Sequence, residues 1–231
     1  MRELGGLNRI ALFDLDGTLT DPKTGITRCI QYALDRLGRP VPDTEELTWM
    51  IGPPLLASFT KLLGDAEEAV EALRLYRERF SEVGLFENEV YPGIPAVLET
   101  LQKADLRLFV ATSKPHVYAR RIIEHFGLTR FFQEIYGSEL DNRNADKRDL
   151  IRHILDQERF DPAQAVMIGD REHDAIGARA NGIASIGVTW GYGSRQELLE
   201  SGVACLVDRP SDLVEQIPTL TPTMAHPAAR A

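Results

Sequence analysis

Apolar and polar positions follow two different rhythms along this chain. After about residue 90, apolar runs of strand length take turns with amphipathic stretches of helical length. Residues 106–111 (Leu-Arg-Leu-Phe-Val-Ala), 134–137, 165–168 (Ala-Val-Met-Ile), 183–187 and 204–207 read as strands. Residues 115–126, 145–157, 172–181 and 194–201 read as helices. This alternation predicts a parallel sheet covered by helices on both faces. The earlier apolar run Ile10-Ala11-Leu12-Phe13 supplies a first strand.

Residues 22–90 break that rhythm and read as helices only. Ile26, Ile30, Ala33, Leu34 and Leu37 share one helical face, and Gly38 ends the helix. Pro53-Pro54 opens a second helix with Leu55, Leu56, Phe59, Leu62 and Leu63, and Gly64 stops it. A third covers 66–81, with Ala69, Leu73, Tyr76 and Phe80 on its buried stripe. The expected architecture is α/β. A Rossmann-like, doubly wound parallel sheet core (residues 1–21 and 91–217) carries an inserted all-helical cap (22–90). Turn residues mark the edges of the insert, Asp21-Pro22 and Tyr91-Pro92-Gly93, where a hinged lid would need them. Residues 218–231, rich in Pro, Thr and Ala, have little to bury and read as a disordered tail.

Composition narrows the partners. With 231 residues the chain can bury a sizeable core. Its net charge of −9 argues against binding a nucleic acid polymer, which needs a basic face. An anionic substrate must then be drawn in by local cations. No apolar run of about 18 residues predicts a membrane span, and Met1–Leu7 lack a signal-peptide core. Cys29 and Cys205, without CxxC spacing, fit free thiols in a cytoplasmic protein.

In doubly wound sheets ligands bind beyond the carboxyl ends of the strands. The first strand runs into Asp14-Leu15-Asp16-Gly17-Thr18-Leu19-Thr20-Asp21. Residues i and i+2 of a strand point the same way, so Asp14 and Asp16 can face one site. Two carboxylates that close suit a nucleophile paired with a proton-handling partner. Gly17 and Thr18 add a turn and a hydroxyl. The strand at 106–111 ends in Thr112-Ser113-Lys114-Pro115, whose hydroxyls, with the free amides of the next helix, form a candidate phosphate cradle. The strand at 165–168 ends in Gly169-Asp170-Arg171-Glu172-His173-Asp174. Asp170 and Asp174, one helical turn apart, can face one point. So many acids around a site need a cation, and oxygen-only ligands point to Mg²⁺. His173 reads as a surface residue, since hard oxygen sites do not favour imidazole.

The string DLDGTLTD resembles the first motif of the haloacid dehalogenase (HAD) superfamily of phosphohydrolases, and the resemblance extends over about residues 9–208. It implies that Asp14 attacks phosphorus to form an aspartyl-phosphate. Asp16 then protonates the leaving oxygen and activates water. It also implies that Asp14, the Asp16 carbonyl and Asp170 hold Mg²⁺, with Asp174 acting through water. Thr112 would hold the phosphoryl group. A Lys before the helix at 145–157 would neutralise phosphate, and Asn144-Ala145-Asp146-Lys147-Arg148 leaves Lys147 or Arg148 for that place, Lys147 being preferred. Haloacid dehalogenation, a carbon-centred reaction, has no use for the second pair of acids.

The insert position resembles the phosphoglycolate phosphatase-like branch. The strings Thr20–Ile26, Ile51-Gly52-Pro53-Pro54-Leu55, and Gly169-Asp170-Arg171-Glu172-His173-Asp174 followed by Thr189-Trp190-Gly191-Tyr192-Gly193 are similar to its bacterial 5′-nucleotidase-like subgroup. The implied substrate is a small phosphate monoester, of nucleoside 5′-monophosphate or phosphoglycolate type. β-Phosphoglucomutase-like phosphoryl transfer, or a non-catalytic HAD-fold binding or regulatory protein, are the alternatives. Lys23, Arg28, Lys61 and Arg77 are candidate substrate cations in the cap, and the Gly52-Pro53-Pro54 turn is the part expected to reach the site. Monomer and dimer are both open.

Overall fold

The computed structural model describes residues 9–221. Six strands form one wholly parallel sheet: β1 (Ile10–Phe13), β4 (Arg107–Pro115), β5 (Glu134–Ser138), β6 (Ala165–Gly169), β7 (Ala184–Val188) and β8 (Cys205–Val207). Their order is β5-β4-β1-β6-β7-β8. The chain therefore builds outward from β1 on one side, then crosses over and builds outward on the other. This reversal beside β1 is the topological switch point, where α/β sheets bind ligands.

Every residue of β1 is buried, as expected for a central parallel strand covered on both faces. Its side chains alternate between two cores. Ala11 and Phe13 pack with α4 (Ile94–Lys103), α5 (His116–His125) and α9 (Leu213–Leu220), whereas Ile10 and Leu12 pack with α6 (Lys147–Glu158) and α7 (Glu172–Ala180). α8 (Arg195–Ser201) precedes β8. The pattern reading passes over α4, whose start at Gly93-Ile94-Pro95 looks like a continuation of the turn before it. Among the described residues no helix is long and apolar enough to cross a membrane.

Residues 22–90 carry α1 (Lys23–Arg36), α2 (Leu55–Leu63) and α3 (Ala66–Phe80), with a 3-10 turn at Glu45–Met50. The sequence suggests helices only; the structure adds a short antiparallel ribbon, β2 (Thr20–Asp21) with β3 (Glu89–Val90). Two-residue strands are too brief for a periodic signal, which is why they escape pattern reading. The ribbon joins the two crossings of the insert beside the loop after β1. Asp65 caps α3 by accepting from the amides of Glu67 and Glu68 at 2.8 and 3.0 Å, and Gly64 ends α2 at φ +72°. The insert shares its apolar core with one face of the sheet, through Leu15, Leu19, Phe59 and Phe80.

The reading of 218–231 as a tail needs correction. Residues 218–220 close α9, and Thr221 is buried with its hydroxyl donating to the Ile217 carbonyl at 2.9 Å. Leu213 and Ile217 anchor this helix in the core, so it persists past Pro218. Residues 222–231 lie outside the described residues.

α1 and the turn at Gly84–Phe86 approach closely at Gly25, where a methyl group would come within 2.0 Å of the Gly84 carbonyl oxygen. Gly25→Ala is expected to destabilise the protein by about 1–3 kcal/mol, the usual cost of overpacking. Urea unfolding checks this, and an unchanged midpoint would show that α1 and the turn can part freely.

Candidate active site

The ends of β1, β4 and β6, with the first turn of α6, converge on one buried group of charges. Asp14 follows directly on Phe13, and its amide donates to the Ile168 carbonyl at 2.9 Å, extending the ladder by one step. β1 then ends, so strict alternation does not carry on to Asp16. The chain instead turns at Gly17, with φ +82°, and Thr18 is fully buried. A Cβ at Gly17 would lie 2.2 Å from the Asp170 carboxylate, so this turn needs glycine on both counts.

Asp14, Asp170 and Asp174 form the heart of the group. One carboxylate oxygen from each lies within 4.8 Å of the others. All three are buried. Lys147 Nζ stands 2.9 Å from Asp14 Oδ1 and 2.6 Å from Asp174 Oδ1, while donating to the Ala111 carbonyl at 2.6 Å. It is the first residue of α6, whose Asp146 cap accepts from the Arg148 amide at 2.7 Å. Of the two residues that the sequence leaves open, Lys147 turns inward and Arg148 is exposed. Asp170 accepts from the Tyr192 amide at 2.7 Å, with the Thr18 hydroxyl at 3.4 Å. Asp174 accepts from the Arg171 amide at 3.2 Å.

These surroundings shift the acids upward. Burial raises the Asp170 carboxyl well above the usual range, and the charges of Asp14 and Asp174 add to it. Burial also pushes Asp174 up to about 6, against the pull of Lys147. Burial works to lower the Lys147 pKa, but the attraction of Asp14 and Asp174 outweighs it and raises it. Asp14 Oδ1 and Asp174 Oδ1 are buried and receive no aligned hydrogen bond, although Lys147 lies close by. Charge alone holds them. A buried all-oxygen donor set of three carboxylates against one ammonium fits a hard divalent cation.

Asp16 occupies a separate environment. Lys114 reaches it from the end of β4, with Nζ 2.8 Å from Oδ1 and 2.7 Å from Oδ2. Burial is the largest influence on Asp16 and raises its pKa; Lys114 opposes this without cancelling it. A carboxyl whose hold on a proton is raised suits a proton donor. Thr112 is buried, and its hydroxyl accepts from the Lys114 amide at 3.2 Å. Ser113 is half-buried and lines the cavity beside Asp16. β4 runs on to Pro115, so the first free amides of α5 start one residue later than the sequence suggests. Lys114 is absent from the sequence-derived set. Its signal was there: it stands two residues beyond Thr112 in extended chain. No sequence signal marks the Tyr192 amide as a partner of Asp170. His173 is half-buried rather than a surface residue, and burial lowers its pKa.

A cavity opens from Asp16 toward the insert. The core side offers Ser113, Lys114, Tyr118 and Ser138, and the insert offers Met50, Gly52–Leu56, Tyr76, Arg77 and Phe80. The Gly52-Pro53-Pro54 turn thus borders the cavity. The cap cations divide. Arg77 is half-buried on the cavity wall. Arg28 pairs with Glu87 at 2.8 Å, Lys23 pairs with Glu45, and Lys61 lies 4.7 Å over the Trp49 ring, so none of these three enters it.

Comparison with known proteins agrees with this arrangement. The family profile of haloacid dehalogenase-like hydrolases matches residues 11–188. A Pseudomonas aeruginosa protein named 5′-nucleotidase is 54% identical over 81% of this chain and 85% of its own length. A Mycobacterium tuberculosis protein named tyrosine-protein kinase PtkA is 42% identical over 80% of this chain, which spans 63% of that longer protein. The crystal structure of a predicted phosphatase from Clostridium acetobutylicum superimposes with a TM-score of 0.89 at 43% identity, covering 93% of this chain and all of the other. With the motif-bearing strand ends gathered at the switch point, the chain belongs to the haloacid dehalogenase-like hydrolase family.

Proposed function

We propose that this protein is a Mg²⁺-dependent phosphatase that hydrolyses a small phosphate monoester through an aspartyl-phosphate on Asp14. The observation that supports this best is the buried trio of Asp14, Asp170 and Asp174, with Lys147 paired to Asp14 and Asp174. Asp14, Asp170 and, through water, Asp174 would hold the cation. When bound, it supplies positive charge for the phosphoryl oxygens. Asp14 supplies the nucleophilic oxygen, kept near the phosphoryl group by its place at the end of a rigid central strand. Lys147 adds a positive charge against the phosphoryl group, while Thr112 and Ser113 offer hydroxyls to it. Neutralising such charge is most of what phosphoryl transfer asks of a protein. Asp16 gives its proton to the leaving oxygen, then takes one from the water that opens the acyl phosphate.

Among small phosphate monoesters, we favour a nucleoside 5′-monophosphate as substrate. Tyr76, Phe80 and Tyr118 provide ring surface, Leu55, Leu56 and Met50 provide apolar surface, and Arg77 provides a donor for a base or sugar oxygen. The named activity of the Pseudomonas aeruginosa relative supports the same choice. A panel of nucleoside monophosphates, phosphoglycolate and sugar phosphates tests the assignment.

Asp14→Asn retains shape and removes the nucleophile, so kcat should fall by several orders of magnitude with the fold intact. Phosphate release and circular dichroism check the two halves, and substantial turnover would end the aspartyl-phosphate reading.

Metal binding should be linked to pH. An Asp174 carboxyl shifted from 3.8 to about 6 binds an extra proton in the folded protein between those values. Metal-free stability should therefore fall as pH rises through that window, and the full penalty should stand above it. Mg²⁺ competes with that proton and relieves the penalty. The rise in Tm on adding Mg²⁺ should be larger near pH 7.5 than near pH 5. Equal rises, or a rise surviving Asp170→Asn undiminished, would contradict the assignment.

Arg77→Ala should raise KM for nucleoside monophosphates roughly tenfold or more, the size of a lost hydrogen bond to a charged group. It should change KM for p-nitrophenyl phosphate far less. Equal effects on both esters would remove Arg77 from substrate selection.

A further inference from the structure

Arg171 is the residue where the insert, the acidic loop and α8 meet. It lies between Asp170 and Asp174 and caps α7 with an extended backbone. Its side chain is only 12% exposed. Nη1 donates to the carbonyl of Ile51, in the insert, at 2.6 Å. Nε donates to Glu197 of α8 at 2.8 Å, and Glu197 also accepts from the Glu172 amide at 3.0 Å. The guanidinium is thus held from below and offered upward.

Gly52 lies flat against this side chain. Its φ is +101°, and a Cβ there would meet Arg171 Cγ at 2.9 Å. Gly52 is followed by Pro53 and Pro54, which border the cavity. The loop at 191–193 closes the other side, since a Cβ at Gly193 would meet the Asp170 carbonyl oxygen at 1.9 Å and Arg171 Cδ at 3.4 Å. One other core guanidinium reaches an insert carbonyl among the described residues: Arg121 donates to Ser81 at 2.7 Å, but it is exposed and far along the chain from the acids. Among the described residues, Arg171 is the one whose side-chain hydrogen bonds join the insert to the loop that carries two of the three clustered carboxylates.

We propose that Arg171 is a positioning residue that latches the insert over the acidic cluster, so that the Gly52-Pro53-Pro54 wall is held in place only when the Asp170–Asp174 loop is correctly formed. The proposal rests on the phosphatase reading for its effect on substrate, but the latch itself does not. A buried charged hydrogen bond to a carbonyl is strong, and its loss leaves the Ile51 carbonyl without that donor. The insert then spends more time open, and substrates that need its wall bind more weakly. Lysine at 171 offers a point charge rather than a fork, so it can serve Ile51 or Glu197 but not both at this geometry.

Hydrogen–deuterium exchange of residues 45–64 in the full chain gives a readout independent of activity. Arg171→Ala should speed exchange in this segment at least tenfold, Arg171→Lys should give an intermediate rate, and segments such as β7 should be unchanged. With nucleoside monophosphates, Arg171→Ala should raise KM at least tenfold while kcat falls less than threefold. Unchanged exchange in residues 45–64 would overturn the latch. So would a fall in Mg²⁺ affinity with no change in exchange, which would place Arg171 in the acidic loop alone. Failure of Asp14→Asn to abolish turnover would instead reject the phosphatase reading and leave the exchange result standing.

Discussion

Four carboxylates buried beyond the end of one strand are the constraint on which the rest of this structure depends. Asp14, Asp16, Asp170 and Asp174 are each at most 7% exposed. Uncompensated charge at such depth costs several kcal/mol per ion, or the group takes up a proton instead. The fold answers with two buried lysines from different elements. Lys147 comes from the start of α6 and Lys114 from the end of β4. Two ammonium groups against four carboxylates leave two negative charges, the deficit that one divalent cation would fill. The upward shifts of Asp170 and Asp174 express the same deficit as proton affinity.

Satisfying that balance fixes much of the topology. β1 must be central, so that β4 and β6 can deliver a lysine and an aspartate from either side. The backbone must pass close by. Gly17 and Gly191 both lie where a Cβ would strike the Asp170 side chain. The Tyr192 amide can then reach Asp170, and the loop after β7 becomes part of the site. Its other groups tie down the loop after β1: the Trp190 indole donates to the Thr18 carbonyl at 3.1 Å, and the Tyr192 hydroxyl donates to Asp21.

The sheet was legible because parallel strands buried on both faces give dense apolar runs, although β4 continues past its apolar run to Pro115. The acids were legible for the same reason: a carboxylate directly after an apolar strand has little else to do. Lys147 was ambiguous, since Lys147 and Arg148 are adjacent cations and only the phase of α6 decides which one faces inward. Lys114 was passed over because a lysine before a proline reads as a turn, whereas β4 continues through it. Arg28 looked like a substrate cation, but a glutamate 59 residues away holds it outside the cavity. Side-chain partners this distant leave no trace in local pattern.

The insert shows a deeper limit of hydrophobic periodicity. Leu55, Leu56 and Phe59 share an apolar face on α2, and the pattern reads all three as core. Phe59 is fully buried, against Tyr76 at a ring separation of 6.2 Å. Leu55 and Leu56 are only half-buried, because they line the cavity. An apolar stripe records that a face meets something apolar. It does not record whether that partner is the protein or a ligand. The distinction appears only when the insert is set against β4 and the loop after β1, where Lys114 Nζ lies 4.8 Å over the Phe80 ring while gripping Asp16. One lysine there touches both the Asp16 carboxyl and the aromatic wall of the insert. The strand ends and the wall of the insert are thus joined through side chains already needed to balance buried charge.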